Sequence, residues 1–366
     1  MLSLLYFAID RNEGQQIVHS WLLSLYSRRN IMRFSSFLGA SFSAVFNKVA
    51  FGSLFILCVL ISSSNASQQT GLTDWLIELR KDAIARGISE TTFDDALSEF
   101  RPIKQIIELD RNQPEFSQTL DDYLAKRVTD TKIAKARELL EENKVILEQI
   151  SEYYNVQPRF IVTFWGLETN FGSYLGKYDV PQALATLAYD GRRGAFFRKE
   201  LFNALQILDE GHIARADMKG GWAGEVGQAQ FLPSSFLNYA QDWDKDGRKD
   251  VWANEQDVFA SIAFYLKSAG WRDDITWGRQ IILPDGQDFS SLVKNKKRKT
   301  LREWEAMGVR NPNGSLLPER NLTARIVTSS TSDLAFLAYS NFDSILRWNR
   351  SIYYAASVGR LSDALH

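Results

Sequence analysis

The stretch Phe160-Ile-Val-Thr-Phe-Trp-Gly-Leu-Glu168-Thr-Asn-Phe-Gly172 decides how the rest of the chain reads, because it sets one carboxylate in an otherwise apolar helical run. Pro158 suits a first helical turn, where its missing N–H is no loss, and Gly172 suits a helix end. No other charged side chain interrupts the run after Arg159. Trp165, Phe164 and Ile161 precede Glu168 at helical spacing, so the acid shares its face with three large hydrophobes. A carboxylate buried there loses hydration. At a helix C-terminus it also meets the negative pole of the backbone dipoles, so both effects favour the protonated acid, a group able to donate a proton near neutral pH. A glutamate that reaches water from the helix end, or pairs with an arginine, is the competing reading.

Length and composition set the frame for that helix. The chain has 366 residues and 45% hydrophobic content, enough for a substantial core and two or three subdomains. Ten Trp and thirteen Tyr suit a groove where flat rings meet a polar ligand such as sugar, although core packing accounts for most of them. The formal net charge is −1 with Lys and Arg scattered, so nothing points to nucleic acid. The only cysteine is Cys58, and the histidines are His19, His212 and His366. A Ser-His pair or a His-rich metal site would rest on His212 alone.

Residues 1–66 read as a targeting leader. Arg28, Arg29, Arg33 and Lys48 precede the apolar run Val49 to Ile61, which ends in the small residues Ser62 to Ser67. The order implies export to the periplasm with cleavage near Ala66, no stable membrane span in the mature chain, and a natural start at Met32. An uncleaved anchor is the alternative. Without the leader the mature chain is mildly acidic and has no thiol.

Residues 67–150 carry apolar positions at three- and four-residue spacing, as in Trp75-Leu76-Leu79 and Phe93-Ala96-Leu97-Phe100, and read as an N-terminal α subdomain. Residues 151–274 hold the Glu168 helix, further helices from Ala183 and from Phe196 to Glu210, and a glycine-rich loop. That loop, Gly220-Gly-Trp222-Ala-Gly-Glu-Val-Gly227-Gln228-Ala-Gln230, lets backbone approach a ligand closely. Arg192 and Arg193 can meet an anionic ligand or simply cap and pair. Asp242-Trp-Asp244-Lys-Asp246-Gly247-Arg248 has the alternating acids and the glycine of a calcium loop, with the Arg248 carbonyl at position seven. Position twelve is Ala253 rather than a bidentate Glu, so Asp257 would close a longer loop; a solvated acidic turn is the plain alternative. Residues 275–330 read as a small mixed β subdomain with strands near Ile281 and over Thr323 to Thr328. Residues 331–366 read as a C-terminal aromatic- and amide-rich helix completing the core.

Taken together, Trp165-Gly-Leu-Glu168-Thr-Asn-Phe-Gly172, Gly221-Trp-Ala-Gly-Glu-Val-Gly-Gln-Ala-Gln230-Phe-Leu-Pro-Ser-Ser, the calcium-like loop and Trp348-Asn349-Arg-Ser-Ile-Tyr-Tyr354 resemble the B-type lytic murein transglycosylases. The four blocks stand in the family's order, and the resemblance covers roughly residues 72–365. It implies a mainly α (α+β) fold: a lysozyme-like helical catalytic core with an added α subdomain and a small β subdomain. It also implies Glu168 as the single catalytic acid/base, with Gln230, Tyr354, Asn349, Arg192, Arg193 and Trp348 along a glycan groove. Asp242, Asp244, Asp246, Arg248 and Asp257 would hold a structural Ca2+, and no organic cofactor is expected. Gly221 stands where the family often has Ser, Trp348 where Tyr is familiar, and the loop before Asp257 is one residue longer.

The implied activity is cleavage of the β-1,4 bond between N-acetylmuramic acid and N-acetylglucosamine, leaving 1,6-anhydro ends on peptidoglycan strands, by a monomer. A hydrolytic muramidase and a non-catalytic, calcium-stabilised wall-binding protein are the other readings. Asp179 and Asp190 lie in or beside loops, with nothing to set either opposite Glu168. That absence of a second carboxylate favours chemistry in which a sugar hydroxyl is the acceptor.

Overall fold

A computed structural model of the chain describes residues 71–112 and 118–366. The leader expected over residues 1–66, with Met32 and Cys58, lies outside the described residues. The chain divides into two compact units. One spans Phe7–Lys81, of which the described part, residues 71–81, is helical. The other contains Asp82–His366 and carries everything considered below. Among the described residues no helix is long and apolar enough to cross a membrane.

The expected mainly helical fold is what the second unit shows. Glu90–Leu97, Lys104–Arg111, Leu120–Arg127, Asp130–Glu142 and Lys144–Tyr154 precede the Glu168 helix, Pro158–Thr169. Val180–Asp190, Gly194–Asp209, Pro233–Tyr239 and Glu255–Ser268 follow it. Local chemistry fixes the ends: Ser89, Thr119, Thr129 and Asp179 each accept a main-chain N–H in the first turn of the helix they open. Pro158 occupies the start of the Glu168 helix as its fixed φ predicts.

That helix is the centre of the packing. Asp130–Glu142, Lys144–Tyr154, Glu255–Ser268 and a C-terminal helix, Ile352–Asp363, all lie against it, and every residue from Phe160 to Thr169 is buried. Phe160, Ile161, Val162, Phe164, Trp165 and Leu167 are each at most 1% exposed. Burying such side chains gains about 1.5–3 kcal/mol apiece, which together exceeds the several kcal/mol it costs to sink one carboxyl among them.

The β subdomain is a four-stranded antiparallel sheet in the order Gly278–Ile281, Ser332–Ala338, Thr323–Ser329, Lys299–Thr300. It covers its own apolar cluster, including Trp304, Leu301, Ile326 and Leu337, and the buried Trp304 Nε1–H reaches the Ala324 carbonyl at 2.9 Å. Two sequence expectations change here. The boundary drawn at 330 cuts a hairpin, since Ser332–Ala338 pairs on both edges and lies inside the sheet. Residues 331–366 are therefore a strand followed by two helices, Ser340–Trp348 and Ile352–Asp363, rather than one helix. Leu334-Ala-Phe-Leu-Ala338 is a continuous apolar run, and such a run suits a strand buried on both faces as well as a helix.

Candidate active site

Glu168 occupies the last turn of its helix and is 6% exposed. Its Oε1 accepts two hydrogen bonds, from Trp348 Nε1–H at 2.7 Å and from Tyr354 O–H at 2.6 Å. Trp348 ends the Ser340–Trp348 helix, and its ring is held by Phe164, Tyr265 and Phe231 at 4.7, 4.7 and 5.2 Å between centroids. Tyr354 sits in the first turn of the next helix, where the Ser351 hydroxyl accepts its N–H. With both donors on Oε1, an acidic proton on this carboxyl belongs on Oε2. The Tyr354 phenol is driven well above its ordinary range by burial and then by the Glu168 charge, so it stays protonated and donating.

The helix end differs from the sequence expectation in one respect. Arg127 donates to the Leu167 carbonyl and Lys132 to the Gly166 carbonyl, both at 2.9 Å. These cations offset the negative pole that would otherwise act on Glu168. Burial, followed by the Arg127 charge, pulls Lys132 down to about 8. Beyond Thr169 the chain reverses through three consecutive left-handed residues, Asn170, Phe171 and Gly172, with φ of 51°, 61° and 74°. Gly172 is required there, because a Cβ would stand 2.3 Å from Gln228 Oε1.

Gln228 ties the glycine-rich loop to the helix on either side of Glu168. Its Oε1 accepts Trp165 Nε1–H at 2.6 Å, its carbonyl accepts the Thr169 hydroxyl at 2.9 Å, and its Nε2 donates to the Trp252 carbonyl at 3.0 Å. Gln230, the expected ligand contact, has φ of 48° and donates its amide to the Leu175 and Gly227 carbonyls, which shapes the loop. A crevice of about 690 Å³ runs from the turn after the Glu168 helix, Ser173–Gly176, to His212, Arg248 and Trp252.

Of the other expected residues, Asn349 lies between the helices that carry Trp348 and Tyr354, and its Oδ1 accepts the Ser351 N–H at 2.9 Å. Arg192 and Arg193 converge on Asp110, which is 2% exposed: Arg192 Nε binds one carboxylate oxygen at 2.7 Å and Arg193 the other. The pairing reading thus describes their contacts better than a free anion-binding face. Asp179 pairs with Arg215 and Lys219 and Asp190 with Arg111, so neither serves as a second acid beside Glu168. His212 Nδ1 accepts the Lys249 N–H.

A second buried carboxyl, in the glycine-rich loop, was missed by sequence reasoning. Glu225 is 4% exposed, and its Oε2 accepts the Ala223 N–H at 3.2 Å. Burial pushes it up to about 7; its own N–H and that of Ala223 act the other way, the Glu168 charge raises it and Arg193 lowers it. Only an unexplained acid within a run of glycines and small residues hinted at it.

The calcium-like loop brings together three of its expected acids. Carboxylate oxygens of Asp242, Asp244 and Asp257 lie within 4.8 Å of one another. Asp257 is buried and also accepts the Trp243 and Asp250 N–H groups, each at 2.7 Å; burial pushes it up to about 6. Like charges crowded this way fit a hard cation. Asp246 is the exception, because its oxygens turn back to the Arg248 N–H and guanidinium.

Residues 71–363 match the family described as transglycosylase SLT domain. Membrane-bound lytic murein transglycosylase B of Escherichia coli K12 is 30% identical over 220 residues, 60% of this chain, and the match spans 60% of that relative's own length. The crystal structure of SltB3 from Pseudomonas aeruginosa in complex with NAG-anhNAM-pentapeptide is similar with a TM-score of 0.77 and 38% identity, over 80% of this chain and 79% of that one. Escherichia coli Slt35 in complex with calcium, at 24% identity and a TM-score of 0.68 over 79% and 92% of the two chains, carries a likeness of fold alone.

Proposed function

Because this chain belongs to the transglycosylase SLT domain family, we propose that it is a lytic transglycosylase, cleaving the β-1,4 bond between N-acetylmuramic acid and N-acetylglucosamine in peptidoglycan and leaving 1,6-anhydro-N-acetylmuramic acid ends. The observation that carries the reading is Glu168, a carboxyl buried at a helix end whose Oε1 accepts the Trp348 and Tyr354 donors. The relative in complex with NAG-anhNAM-pentapeptide supports the same substrate class.

In the first step Glu168 Oε2 gives its proton to the glycosidic oxygen, and the bond from that oxygen to the anomeric carbon breaks. The positive charge left on the anomeric carbon is held by the substrate's own acetamido oxygen. In the second step the ionised Glu168 takes the proton of the muramic acid 6-hydroxyl, whose oxygen bonds to the anomeric carbon and closes the anhydro ring. Each proton lost is regained, and no water enters. Trp348 and Tyr354 hold Oε1 through both steps and bind it more strongly while it is charged. A hydrolase of the inverting or retaining kind needs a second carboxylate open to water or to the sugar. Glu225 is too enclosed for that part, with its Oε2 taken by Ala223.

Mass analysis of the products from purified murein sacculi tests the reading. Anhydro-muramic ends are expected, and Glu168→Gln, which keeps the shape and removes the acid, should lose more than the roughly 10²–10⁴-fold typical of general acid-base catalysis, since one group serves both steps. Reducing muramic ends would overturn the transglycosylase reading.

The same reading includes a structural Ca2+ held by Asp242, Asp244, Asp257 and the Arg248 carbonyl, with Asp246 joining if it leaves Arg248; bound, the ion would neutralise the crowded acids. It also includes a monomer, and export to the periplasm, the latter supported by the order of basic, apolar and small residues from Arg28 to Ser67. Mass spectrometry of the mature amino terminus checks the export, and retention of Phe51–Ile61 would contradict it.

A further inference from the structure

The turn between strands Thr323–Ser329 and Ser332–Ala338 reaches from the β subdomain to the helix that carries Tyr354. Ser329, Thr331 and Tyr353 bring three hydroxyls together there. Ser329 Oγ lies 2.9 Å from Thr331 Oγ1 and 3.2 Å from the Tyr353 phenol oxygen, and Thr331 Oγ1 is bonded to that same oxygen. Main-chain donors anchor both small side chains: Ser329 Oγ accepts the Thr331 N–H and Thr331 Oγ1 accepts the Leu120 N–H, each at 3.2 Å. Leu120 opens the Leu120–Arg127 helix, so the hairpin tip is bonded to two helices at once. The Tyr353 ring meets Tyr123 of that helix edge-on, 5.7 Å between centroids. Arg127 lies over the Tyr123 ring, 5.8 Å from its centroid, and donates to the carbonyl of Leu167, the residue before Glu168. The hairpin is thus joined to the helix that carries the donor and, through Tyr123 and Arg127, to the helix that carries the acid.

Resting on the transglycosylase reading, we propose that Tyr353 is a positioning residue: held by Ser329 and Thr331, it fixes the first turn of the Ile352–Asp363 helix so that the Tyr354 O–H stays on Glu168 Oε1. Successive side chains of a helix point about 100° apart, so one turn presents Tyr353 to the hairpin and Tyr354 to the carboxyl. Both tyrosines stand where helices fray, and a bond from outside the helix keeps that turn from rolling. Rolling would matter, because a hydrogen bond weakens steeply as its angle closes. Tyr353 exchanges no proton with the sugar and acts only through Tyr354. The β subdomain, whose strands carry neither Trp348 nor Tyr354, gains in this way a part in the reaction.

The test is a mutant cycle read by the kinetics of murein cleavage, with Tyr353→Phe, Thr331→Val and Tyr354→Phe. Tyr353→Phe and Thr331→Val should each lower kcat about fivefold, the size of one lost neutral hydrogen bond, with KM unchanged. Together they should cost no more than either alone, since they break one contact. Added to Tyr354→Phe, neither should lower kcat further, because the O–H they position is already gone. Thr331→Ser, which restores the hydroxyl, should return kcat toward wild type. An unchanged kcat, a change in KM alone, or a fall that multiplies in full with that of Tyr354→Phe overturns the proposal. Should Tyr353→Phe not fold, Thr331→Val, at an exposed turn, carries the same cycle. A wild type giving reducing ends would instead sink the transglycosylase reading, while the coupling of Thr331→Val with Tyr354→Phe still decides whether the hairpin acts through that tyrosine.

Discussion

Tyr354→Phe removes one oxygen atom from the site and leaves the ring beside Phe164 at 6.1 Å between centroids. The lost group is a fully buried O–H donor, 2.6 Å from Glu168 Oε1. A hydrogen bond to a charged acceptor is worth about 1.5–3 kcal/mol, against roughly 1 for a neutral one. Glu168 becomes charged as the glycosidic bond breaks, so the bond gains strength on the way to the transition state, and such an interaction appears in kcat. Losing that gain, the difference of about 0.5–2 kcal/mol, corresponds to roughly a 2- to 30-fold fall. Trp348 still holds the same oxygen, so the melting temperature should change by only a few degrees. Initial rates of anhydro-muropeptide release from sacculi, over a range of substrate concentrations, should show kcat falling with KM unchanged. Trp348→Phe, alone and combined with Tyr354→Phe, should give a coupling above about 0.5 kcal/mol, since both donors serve one atom. A folded Tyr354→Phe with kcat within about twofold of wild type, or with only KM altered, would refute the view that this oxygen is anchored for the transition state.

Three other outcomes follow from the same geometry. Asp110→Ala leaves Arg192 and Arg193 without their shared carboxylate and should cost about 3 kcal/mol, the low end for a broken buried ion pair because Arg192 is half exposed and can turn to water; denaturant titration measures it. Calcium should raise the melting temperature of the wild type by mass action, and Asp244→Ala should abolish the rise; no calcium-dependent shift in the wild type rules the site out. Glu225 titrates near 7 when folded against 4.5 for the free side chain, so the unfolded chain loses its proton first as pH rises. Stability should then decline between about pH 4.5 and 7 by about 3 kcal/mol and stay lower above, a decline that Glu225→Gln removes; melting curves of the two proteins across this range should separate as pH rises.

The parts of this site that could be read from the sequence are those written in local spacing. Pro158, the apolar run and Gly172 delimit a helix because each acts within a turn of itself, and burial of Glu168 follows from the company it keeps. The alternating acids of the calcium-like loop are local as well, although the turn of Asp246 toward Arg248 depends on backbone donors that no spacing reveals. What stayed hidden is set by distant partners. Asp110 lies some eighty residues before the arginines it binds. Arg127 and Lys132, on earlier helices, reach carbonyls that belong to the end of another. Glu225 was passed over because a glycine-rich loop suggests exposure, whereas here the glycines make room for a side chain to turn inward. Leu334–Ala338 shows the converse limit: an apolar run of that length has no period, and only its neighbours make it a strand.

The donors on Glu168 Oε1 lie 180 and 186 positions further along the chain. Neither donor can reach Oε1 until the Ser340–Trp348 and Ile352–Asp363 helices have been made and docked. A chain made from its amino terminus therefore displays the reactive glutamate well before the tryptophan and tyrosine that hold it. Any intermediate in which residues 340–363 have not yet docked carries Glu168 with neither donor on Oε1. The group at the end of the Pro158–Thr169 helix is therefore complete only in the finished fold, since half of what holds it is the last part of the chain to be made.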